Sequence, residues 1–240
     1  MNVKEMTKLS LIIPCYNESK NLPLLIDRCK ELFKNENSVE IVIVDNGSDD
    51  DTALILDELT NNLNFITRVN VKDNQGYGYG ILEGLKAANG DILSWTHADM
   101  QTDLLDALKG LYLFQSETNP DNLFVKGRRH GRPFLDVFFT IGMSIFETML
   151  LRKYLWDINA QPTMFHRNFY NSWDLPPDDF SLDLYAYYVA KKSKLLIKRF
   201  PVIFSERIHG SSKWNFSLLS KYRFIIRTFV YSISLKRRLK

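Results

Sequence analysis

Short apolar segments alternate with longer segments of helical spacing through the first half of the chain. The apolar segments are residues 9–14, 39–44, 65–71, 92–96 and 123–125. Between them, apolar residues recur at helical intervals, which predicts helices over residues 22–33, 51–63, 76–89 and 104–115. Each connection holds a dozen or more residues, as the crossover between parallel strands requires. The pattern therefore predicts an α/β fold with a parallel, doubly wound sheet.

Polar residues follow three of the predicted strands at the point where each strand ends. They are Tyr16, Asn17 and Glu18 after the first strand, Asp45 and Asn46 after the second, and His97, Ala98, Asp99, Met100 and Gln101 after the fourth. Ligands of open α/β sheets bind beyond the carboxyl ends of the strands. In a parallel sheet the three clusters are therefore expected to converge on one site.

Asp99 and Gln101 are the candidate metal ligands. They lie two residues apart, and alternate positions of an extended stretch point the same way. Their hard oxygen atoms suit Mg²⁺ or Mn²⁺, with substrate phosphates completing the coordination shell. The alternative is that Asp99 caps the following helix. His97 is interpreted as a packing or hydrogen-bonding group, not as a ligand.

The cluster after the second strand is divided between two roles. The side chain of Asp45 or Asn46 can accept hydrogen bonds from ribose hydroxyls or a base N–H. Ser48 or Asp49 is expected to cap the next helix, and the acids that follow favour its N-terminal dipole.

The second half of the chain is organised differently. It reads as a basic loop over residues 126–132, a helix over 134–151, a helix from about 179 to 191 and a strand over 195–205. The 134–151 segment contains Asp136 and Glu147, and each acid would cost about 3 kcal/mol in the middle of a bilayer. A buried or interfacial helix is therefore predicted, not a membrane span.

Charge is distributed unevenly along the chain. The net charge is +3, yet residues 207–240 contain nine Lys or Arg and no Asp or Glu, which leaves −6 for residues 1–206. A basic tail suits nucleic acid, phospholipid head groups or a phosphate-bearing substrate, although a solvated basic end is the simpler alternative. No nucleic-acid-binding module is recognisable, so nucleic acid is not expected as a partner.

Four segments of the first half resemble one enzyme family. Residues 11–18 and 42–49 resemble the opening strand and the Val-Asp-Asp-Gly-Ser-x-Asp element of family-2 glycosyltransferases with the GT-A fold. Residues 74–91 match their Asn-x-Gly…Gly…Ala-x-Gly-Asp stretch, and residues 97–101 resemble their Asp-Ala-Asp-x-Gln metal motif. As a set, these motifs are highly specific.

The second half narrows the resemblance to one subgroup. Residues 126–128 (Lys-Gly-Arg) resemble the Gly-Ser-Arg of dolichyl- and polyprenyl-phosphate hexose synthases. Residues 201–213 resemble their Pro-Val…Arg-x-x-Gly-x-Ser-Lys loop.

The resemblance implies a mixed, mostly parallel Rossmann-like sheet flanked by helices, with a C-terminal amphipathic helix. It implies a single glycosyltransferase domain over residues 1–240: a nucleotide-sugar-binding half (1–125), an acceptor-side half (126–215) and a basic tail helix (216–240). The implied reaction is metal-dependent, inverting transfer of a hexose from a nucleotide-diphosphate sugar to a polyprenyl-phosphate lipid carrier.

The resemblance also assigns site residues. Those expected at the nucleotide sugar are Pro14, Tyr16, Asn17, Glu18, Val44, Asp45, Asn46, His97 and Ala98. Asp99 and Gln101 are expected to hold Mg²⁺ or Mn²⁺, and Arg128, Arg207 and Lys213 to meet phosphates. Two positions depart from the family pattern, because Asn46 and His97 stand where acids are usual.

The acceptor is left open between two chemistries. A lipid phosphate is already anionic and needs no base, whereas a hydroxyl of a glycan or lipid-linked oligosaccharide needs a carboxylate. Asp179 or Asp183 is the candidate base in that second case. A third hypothesis is a catalytically silent nucleotide-sugar-binding protein.

The C-terminal segment predicts attachment to a membrane surface. One face of the predicted helix carries Tyr222, Ile225, Ile226, Phe229, Val230 and Ile233, and another carries Arg223 and Arg227. Such a helix can lie among the head groups of an anionic leaflet, or pack its apolar face on the body. With two cysteines and a polar N-terminus, the expected location is the cytoplasmic face of the membrane. A homo-oligomer or a membrane partner protein fits the same features.

Overall fold

The computed structural model describes residues 8–209 and 218–238, with the side chains of the last helix described from residue 226 onward. The predictions for the N-terminal residues 1–7 and for Lys213 lie outside the described residues, as do those for the side chains of Tyr222, Arg223 and Ile225. The strands are β1 (Leu9–Cys15), β2 (Val39–Asn46), β3 (Ile66–Val71), β4 (Ile92–Trp95), β5 (Leu123–His130), β6 (Thr163–His166) and β7 (Leu196–Ile203). The helices are α1 (Leu22–Phe33), α2 (Thr52–Thr60), α3 (Tyr77–Ala87), α4 (Leu105–Gln115), α5 (Phe134–Leu151), α6 (Arg167–Asn171), α7 (Leu182–Lys192) and α8 (Leu218–Arg238).

The seven strands form one sheet in the order β3-β2-β1-β4-β6-β5-β7. β1 pairs in parallel with β2 and β4, β2 with β3, and β5 with β7. β6 lies between β4 and β5 and is antiparallel to both. The mixed, mostly parallel sheet implied by the family resemblance is confirmed, and the wholly parallel sheet predicted from alternation alone is wrong at β6.

The central strands are buried on both faces, which explains their continuous apolar sequence. Leu9, Leu11 and Ile13 of β1 pack with the buried residues of α1 and α4. Ile12, between them, faces the other side and packs with α3 and α7. The helices therefore cover both faces, and the polar loops are left at the carboxyl ends of β1, β2 and β4.

Two boundaries differ from the predictions. β5 continues to His130, so residues 126–130 belong to a strand paired with β7 and not to a basic loop. The cations remain in the sheet because acids distant in sequence, Asp157 and Asp183, face them. α7 begins at Leu182, so Asp179 precedes the helix and does not share a helical face with Asp183.

α5 has its polar and apolar faces reversed relative to an ordinary surface helix. Its buried residues are Ser144, Glu147 and Leu151, whereas Phe134, Leu135, Phe138, Phe139, Ile145 and Met149 are exposed. By length and composition α5 is a candidate membrane span. Its C-terminal half is nevertheless bound to the segment that follows it, because Ser144 Oγ accepts from Asp157 N at 3.2 Å and Thr148 Oγ1 accepts from Leu155 N at 3.0 Å.

α8 packs beside α5 through a polar contact and an aromatic one. Ser232 Oγ donates to Glu147 Oε1 at 2.7 Å, and the rings of Phe146 and Phe229 stack at 4.8 Å. Burial raises the pKa of Glu147 to about 7, against a smaller opposing effect of the Ser232 hydrogen bond. The described apolar residues Ile226, Phe229 and Val230 stay 43–60% exposed, so they extend the apolar surface of α5.

Candidate active site

The loops after β1 and β2 interlock. Asn17 N donates to Ser48 Oγ at 3.0 Å, and Asp49 N donates to Asn17 Oδ1 at 2.8 Å. Tyr16 OH donates to Asp49 Oδ2 at 3.0 Å. Asn17 adopts a left-handed backbone (φ 57°), which asparagine tolerates better than most residues. The structure thus joins the first predicted cluster to the loop that follows Asp45 and Asn46.

The expected helix cap was assigned to the wrong residues. Ser48 and Asp49 bind the first loop, whereas Asp50 Oδ1 accepts from Thr52 N, at the start of α2, at 3.0 Å. Asp45 is buried, and its Oδ1 accepts from Ser48 N at 3.1 Å. Asp45 therefore stabilises the loop after β2 through a hydrogen bond inside that loop.

Asn46 faces α3. It is buried, its Nδ2 donates to Gly76 O at 2.8 Å, and its own backbone carbonyl accepts from Asn74 Nδ2 at 2.9 Å. A carboxylate here would place two acceptors against each other, so the Gly76 carbonyl accounts for the amide at this position. Asn46 Oδ1 is buried and has no hydrogen-bond partner among the described residues.

Asp99 and Gln101 converge on one cation, the guanidinium of Arg207. Arg207 Nη2 lies 2.8 Å from Asp99 Oδ2, and its Nε donates to Gln101 Oε1 at 3.1 Å. Met100 has a left-handed backbone (φ 59°), so a turn, and not the extended stretch assumed from sequence, brings the two residues together. Asp99 does not cap α4, whose N-cap residue is Leu104.

The oxygen atoms around Arg207 fit a divalent cation. One carboxylate and one amide oxygen already bind a single positive group, and both are hard ligands that suit Mg²⁺ or Mn²⁺. Among the described residues, no group of three or more His, Cys, Asp or Glu could hold a metal. A metal at Asp99 and Gln101 would therefore draw its other ligands from substrate or water.

Glu18 brings a second carboxyl group to this region. Its Oε2 accepts from Asn21 Nδ2 at 2.5 Å, and it lies within the electrostatic reach of Asp99 and Arg207. Burial raises the pKa of Glu18, and the hydrogen bond from Asn21 offsets only part of that rise. The first and third predicted clusters therefore meet beyond β1 and β4.

Tyr77 lies between the His97 segment and the loop before α7. Its ring is 5.6 Å from that of His97 and stacks on Phe180 at 4.9 Å. Gly76 and Gly78 permit this approach, because a Cβ at Gly78 would lie 2.5 Å from Asp179 O. Tyr77 was missed by the sequence analysis, although the glycines on either side of it signal a close backbone contact.

The two candidate bases occupy different surroundings. Asp179 is partly exposed, and it accepts from Ser181 N at 2.8 Å and pairs with Arg227 Nε of α8 at 3.5 Å. Asp183 is buried, and its Oδ1 accepts from Gln161 Nε2 at 2.9 Å and Trp95 Nε1 at 3.3 Å. Of the two, only Asp179 is open to an acceptor.

The other predicted residues lie along the same edge of the sheet. Pro14 pairs in register with Val44, whose side chain is fully buried and so cannot line a ligand itself. Ala98 is buried between His97 and Asp99. Arg128 is exposed on the last part of β5.

Comparison with known proteins identifies the family. The model of Glycosyl transferase family 2 matches residues 10–187, which is more than half of the chain. The chain belongs to glycosyltransferase family 2. It is therefore a glycosyltransferase, and the hypothesis of a catalytically silent binding protein is not favoured.

Curated relatives of this glycosyltransferase act on a lipid phosphate, by their names. It is 35% identical over 103 residues to the undecaprenyl-phosphate 4-deoxy-4-formamido-L-arabinose transferase of Proteus mirabilis, covering 41% of this chain and 31% of that protein. The enzyme of the same name from Photorhabdus laumondii is 35% identical over 106 residues, covering 42% and 32%. The match thus spans about a third of the length of each relative.

Solved structures share the fold of this glycosyltransferase. The mannosyltransferase PcManGT from Pyrobaculum calidifontis, in complex with GDP-Man and Mn²⁺, has a TM-score of 0.69 at 16% identity, covering 96% of this chain and 65% of that one. Glucosyl-3-phosphoglycerate synthase from Mycobacterium tuberculosis, with Mn²⁺, UDP and glucosyl-3-phosphoglycerate, has a TM-score of 0.69 at 17% identity, covering 95% and 80%. The GT-A-like fold class is confirmed.

Proposed function

We propose that this glycosyltransferase transfers a hexose, with inversion, from a nucleotide-diphosphate sugar to a polyprenyl-phosphate lipid at the membrane surface. The names of the curated relatives support the lipid-phosphate acceptor. The nucleotide sugars and Mn²⁺ bound by proteins of the same fold support the donor and a divalent metal. The observation that carries the proposal is the reversed burial of α5.

The exposed face of α5 suits an apolar environment. Exposed Phe and Leu side chains are stable where hydrocarbon replaces water, and each buried apolar side chain contributes about 1.5–3 kcal/mol. Contiguous exposed apolar surface of this kind marks an interaction site. Because the C-terminal half of α5 is bound to the following segment and to α8, we place α5 in the membrane interface and not across the bilayer.

The C-terminal end of α8 supplies positive charge for that interface. Lys236, Arg237 and Arg238 occupy the last turn of α8. Each cation near an anionic leaflet contributes about 1 kcal/mol, and the cytoplasmic leaflet is the anionic one. The proposed location is accordingly peripheral, on the cytoplasmic face.

The residues of the proposed donor site have three different roles: to hold the metal, to bind phosphate and to enclose the nucleoside. Asp99 and Gln101 would hold the metal, which when bound supplies Lewis-acid stabilisation to the leaving diphosphate. Arg207, already within hydrogen-bond distance of both, is placed to pair with phosphate oxygens through its guanidinium. The loops bearing Tyr16, Asn17 and Asp45 would enclose the nucleoside.

Cations at the end of β5 suit the acceptor phosphate. Arg128 is exposed there, and Arg132, four residues on, is anchored to α5 by donating to Thr140 Oγ1 at 2.7 Å. The phosphate of a lipid held against α5 would therefore lie near the exposed guanidinium of Arg128, because that of Arg132 is engaged with Asp157 and Thr140. A guanidinium group can bind phosphate bidentately. Because that phosphate is anionic at pH 7, no protein base is needed.

The proposal is tested by offering the purified protein radiolabelled nucleotide sugars, Mn²⁺ or Mg²⁺, and undecaprenyl phosphate in detergent. Label that moves into the organic phase in a metal-dependent way is the expected result. Transfer only to soluble glycans, with none to the lipid phosphate, would overturn the proposed acceptor.

Asp179 distinguishes the two acceptor chemistries. We expect Asp179→Asn to transfer sugar to the lipid phosphate within a few-fold of the wild-type rate, since the amide keeps the hydrogen bond from Ser181 N. A general base contributes about 10²–10⁴-fold. A loss of that size in steady-state kcat, with the circular dichroism spectrum unchanged, would instead favour a hydroxyl acceptor.

Exposed side chains of α5 are expected to control membrane binding. Phe138 is 63% exposed, and Phe138→Asp removes a contribution of about 1.5–3 kcal/mol, so affinity for anionic vesicles should fall about 10- to 100-fold. Co-sedimentation with phosphatidylglycerol vesicles at low salt measures the change. Leu54→Asp, at a residue of α2 that is 60% exposed, adds the same charge and should leave binding nearly unchanged. Equal losses in both variants would contradict the assignment of α5.

A further inference from the structure

Lys126 is a buried amine where the related synthases have glycine in their Gly-Ser-Arg motif. Its side chain is fully buried in β5, with Nζ 2.6 Å from Thr163 Oγ1 and 3.5 Å from Asp183 Oδ1. A buried ion pair is weak evidence for stability, because desolvation opposes the Coulombic gain and apolar side chains of similar volume are often as stable. The ion pair therefore points to a role other than stability, which depends on the side chains that contact Asp183.

The pair holds a short chain of contacts that leads to the active site. Asp183 Oδ1 accepts from Gln161 Nε2 at 2.9 Å, and the same nitrogen lies 3.3 Å from Tyr77 OH. Burial raises the pKa of the Tyr77 hydroxyl, and the nearby charge of Asp183 raises it further. The ring of Tyr77 in turn contacts His97 and Phe180.

The Gln161 amide has one defined orientation in this chain. Its nitrogen serves both Asp183 and Tyr77, while its buried Oε1 has no hydrogen-bond partner among the described residues. An ionised Asp183 can only accept, so it selects the amide nitrogen. If the Asp183 carboxylate were displaced, the amide nitrogen would lose this acceptor, and the amide could turn over and release the hydroxyl of Tyr77.

We propose that Lys126 is a positioning residue, which holds the Asp183 carboxylate in place through its charge and thereby fixes the Gln161 amide and the Tyr77 ring. Tyr77 separates the segment that bears His97 and Asp99 from the segment that bears Asp179 and Phe180. Its position sets the spacing between the donor side and the acceptor side of the site. This inference rests on the transferase reaction proposed above, and it adds a residue that neither touches substrate nor binds the metal.

The charged groups around Lys126 make the proposal testable by pH. They are Asp183 on α7, Arg199 on β7, Asp157 in the loop before β6 and Arg129 on β5. Burial lowers the pKa of Lys126 to about 8, with Asp183 opposing that shift. In the unfolded chain the amine titrates near 10.4. Between these values the unfolded state binds more protons, so the contribution of Lys126 to folding stability rises with pH.

Activity and stability should therefore change in opposite directions. Above about pH 8, wild-type kcat should fall as Lys126 loses its charge, while the Lys126 contribution to the free energy of unfolding rises. Lys126→Met should have a kcat about 10²-fold lower at pH 7, the size of effect expected from a misplacement of about 1 Å. Its KM for the donor should be nearly unchanged. Its kcat should not decline further above about pH 8. Lys198→Met is the matched control, because Lys198 lies on the neighbouring β7 and pairs with Glu117 at 2.7 Å at the surface. It should keep the wild-type pH profile.

The double variant Lys126→Met/Asp183→Asn separates positioning from support of the fold. It removes both charges, so it should recover the stability lost in Lys126→Met but not the kcat. Recovery of both would overturn the proposal, as would a Lys126→Met enzyme with kcat within threefold of the wild type.

One readout does not depend on the acceptor. Trp95 Nε1 donates to Asp183, so the indole N–H of Trp95 reports on changes at Asp183. Its resonance in a ¹⁵N-correlated NMR spectrum can be assigned with Trp95→Phe. In the wild type this resonance should move as pH passes about 8, and in Lys126→Met it should not. If the wild type does not transfer sugar to the lipid phosphate, the proposed function fails. The kcat values of the wild type and Lys126→Met are then compared with another acceptor that supports donor turnover, water included. An indole resonance that titrates identically in both proteins would overturn the role of Lys126.

Discussion

Replacing Asp99 by alanine is expected to lower kcat by about 10³-fold, the scale on which preorganised electrostatic groups act at a transition state. The Asp99 carboxylate contacts Arg207 in the proposed metal site, and it is 3% exposed. The rate is measured with labelled donor at saturating Mn²⁺, and Mn²⁺ binding by electron paramagnetic resonance.

Asp103→Ala is the control for this experiment. Asp103 lies four residues after Asp99, and its Oδ2 lies 2.8 Å from Arg28 Nη2. It is not one of the proposed metal ligands. It should keep both Mn²⁺ binding and turnover. Wild-type turnover in Asp99→Ala would show that the metal assignment is wrong.

Replacing Asp157 by asparagine is expected to cost about 3–5 kcal/mol of unfolding free energy, the penalty for breaking a buried charge pair. Asp157 Oδ1 accepts from Arg129 Nε at 2.8 Å and lies 3.5 Å from Arg132 Nη1, and its Oδ2 lies 3.8 Å from Arg199 Nη2. Asp157 has a left-handed backbone (φ 47°), which asparagine also adopts, so the substitution changes the charge and not the turn. Urea denaturation at pH 7 measures the loss.

The same residue predicts a pH dependence with a definite sign. Burial is the largest single effect and opposes ionisation of Asp157, but the charge of Arg129, the hydrogen bonds that Arg129 donates and the charge of Arg199 together hold its pKa below the usual range. A carboxyl group with a lowered pKa stabilises the fold above its unfolded pKa, near 3.9, and this contribution is lost as pH falls through the folded pKa. The gap between wild type and Asp157→Asn should therefore close below about pH 4. Asp27→Asn, at an exposed pair with Lys30, should change stability by less than about 1 kcal/mol, and an equally small loss in Asp157→Asn would contradict the prediction.

The elements that sequence predicted well are those with a local cause. The strands β1, β2 and β4 are continuous apolar runs, and each is followed by the polar residues that meet at the sheet edge. Their convergence follows from parallel pairing alone. The proposed metal ligands Asp99 and Gln101 come to the same edge for the same reason, since they lie directly beyond a strand end.

The elements that sequence did not predict depend on residues far apart in the chain. Lys126 can lie inside a strand because Asp183, 57 residues later, faces it. Arg129 is retained in the same strand by Asp157, which is 28 residues away. β6 has four residues, and its direction is set by the neighbours between which it lies. No local pattern of apolar residues records such pairings.

The side chains of the site were harder to predict than its location. Asn46 was expected at the nucleotide, yet its amide binds the carbonyl of Gly76, a contact that depends on where α3 begins. Tyr77 lies on that same helix, between Gly76 and Gly78. Their role is to admit the backbone of residues 178–179, which sequence places a hundred residues away.

The guanidinium of Arg207 acts as a tethered counter-ion for Asp99. A buried carboxylate without a partner would oppose folding, and proteins that rely on a free ion for this purpose fold only when that ion is present. Here the compensating charge is part of the chain and is always at the same effective concentration. The acidic end of β4 can therefore assemble as the chain folds, independently of the supply of any dissolved cation.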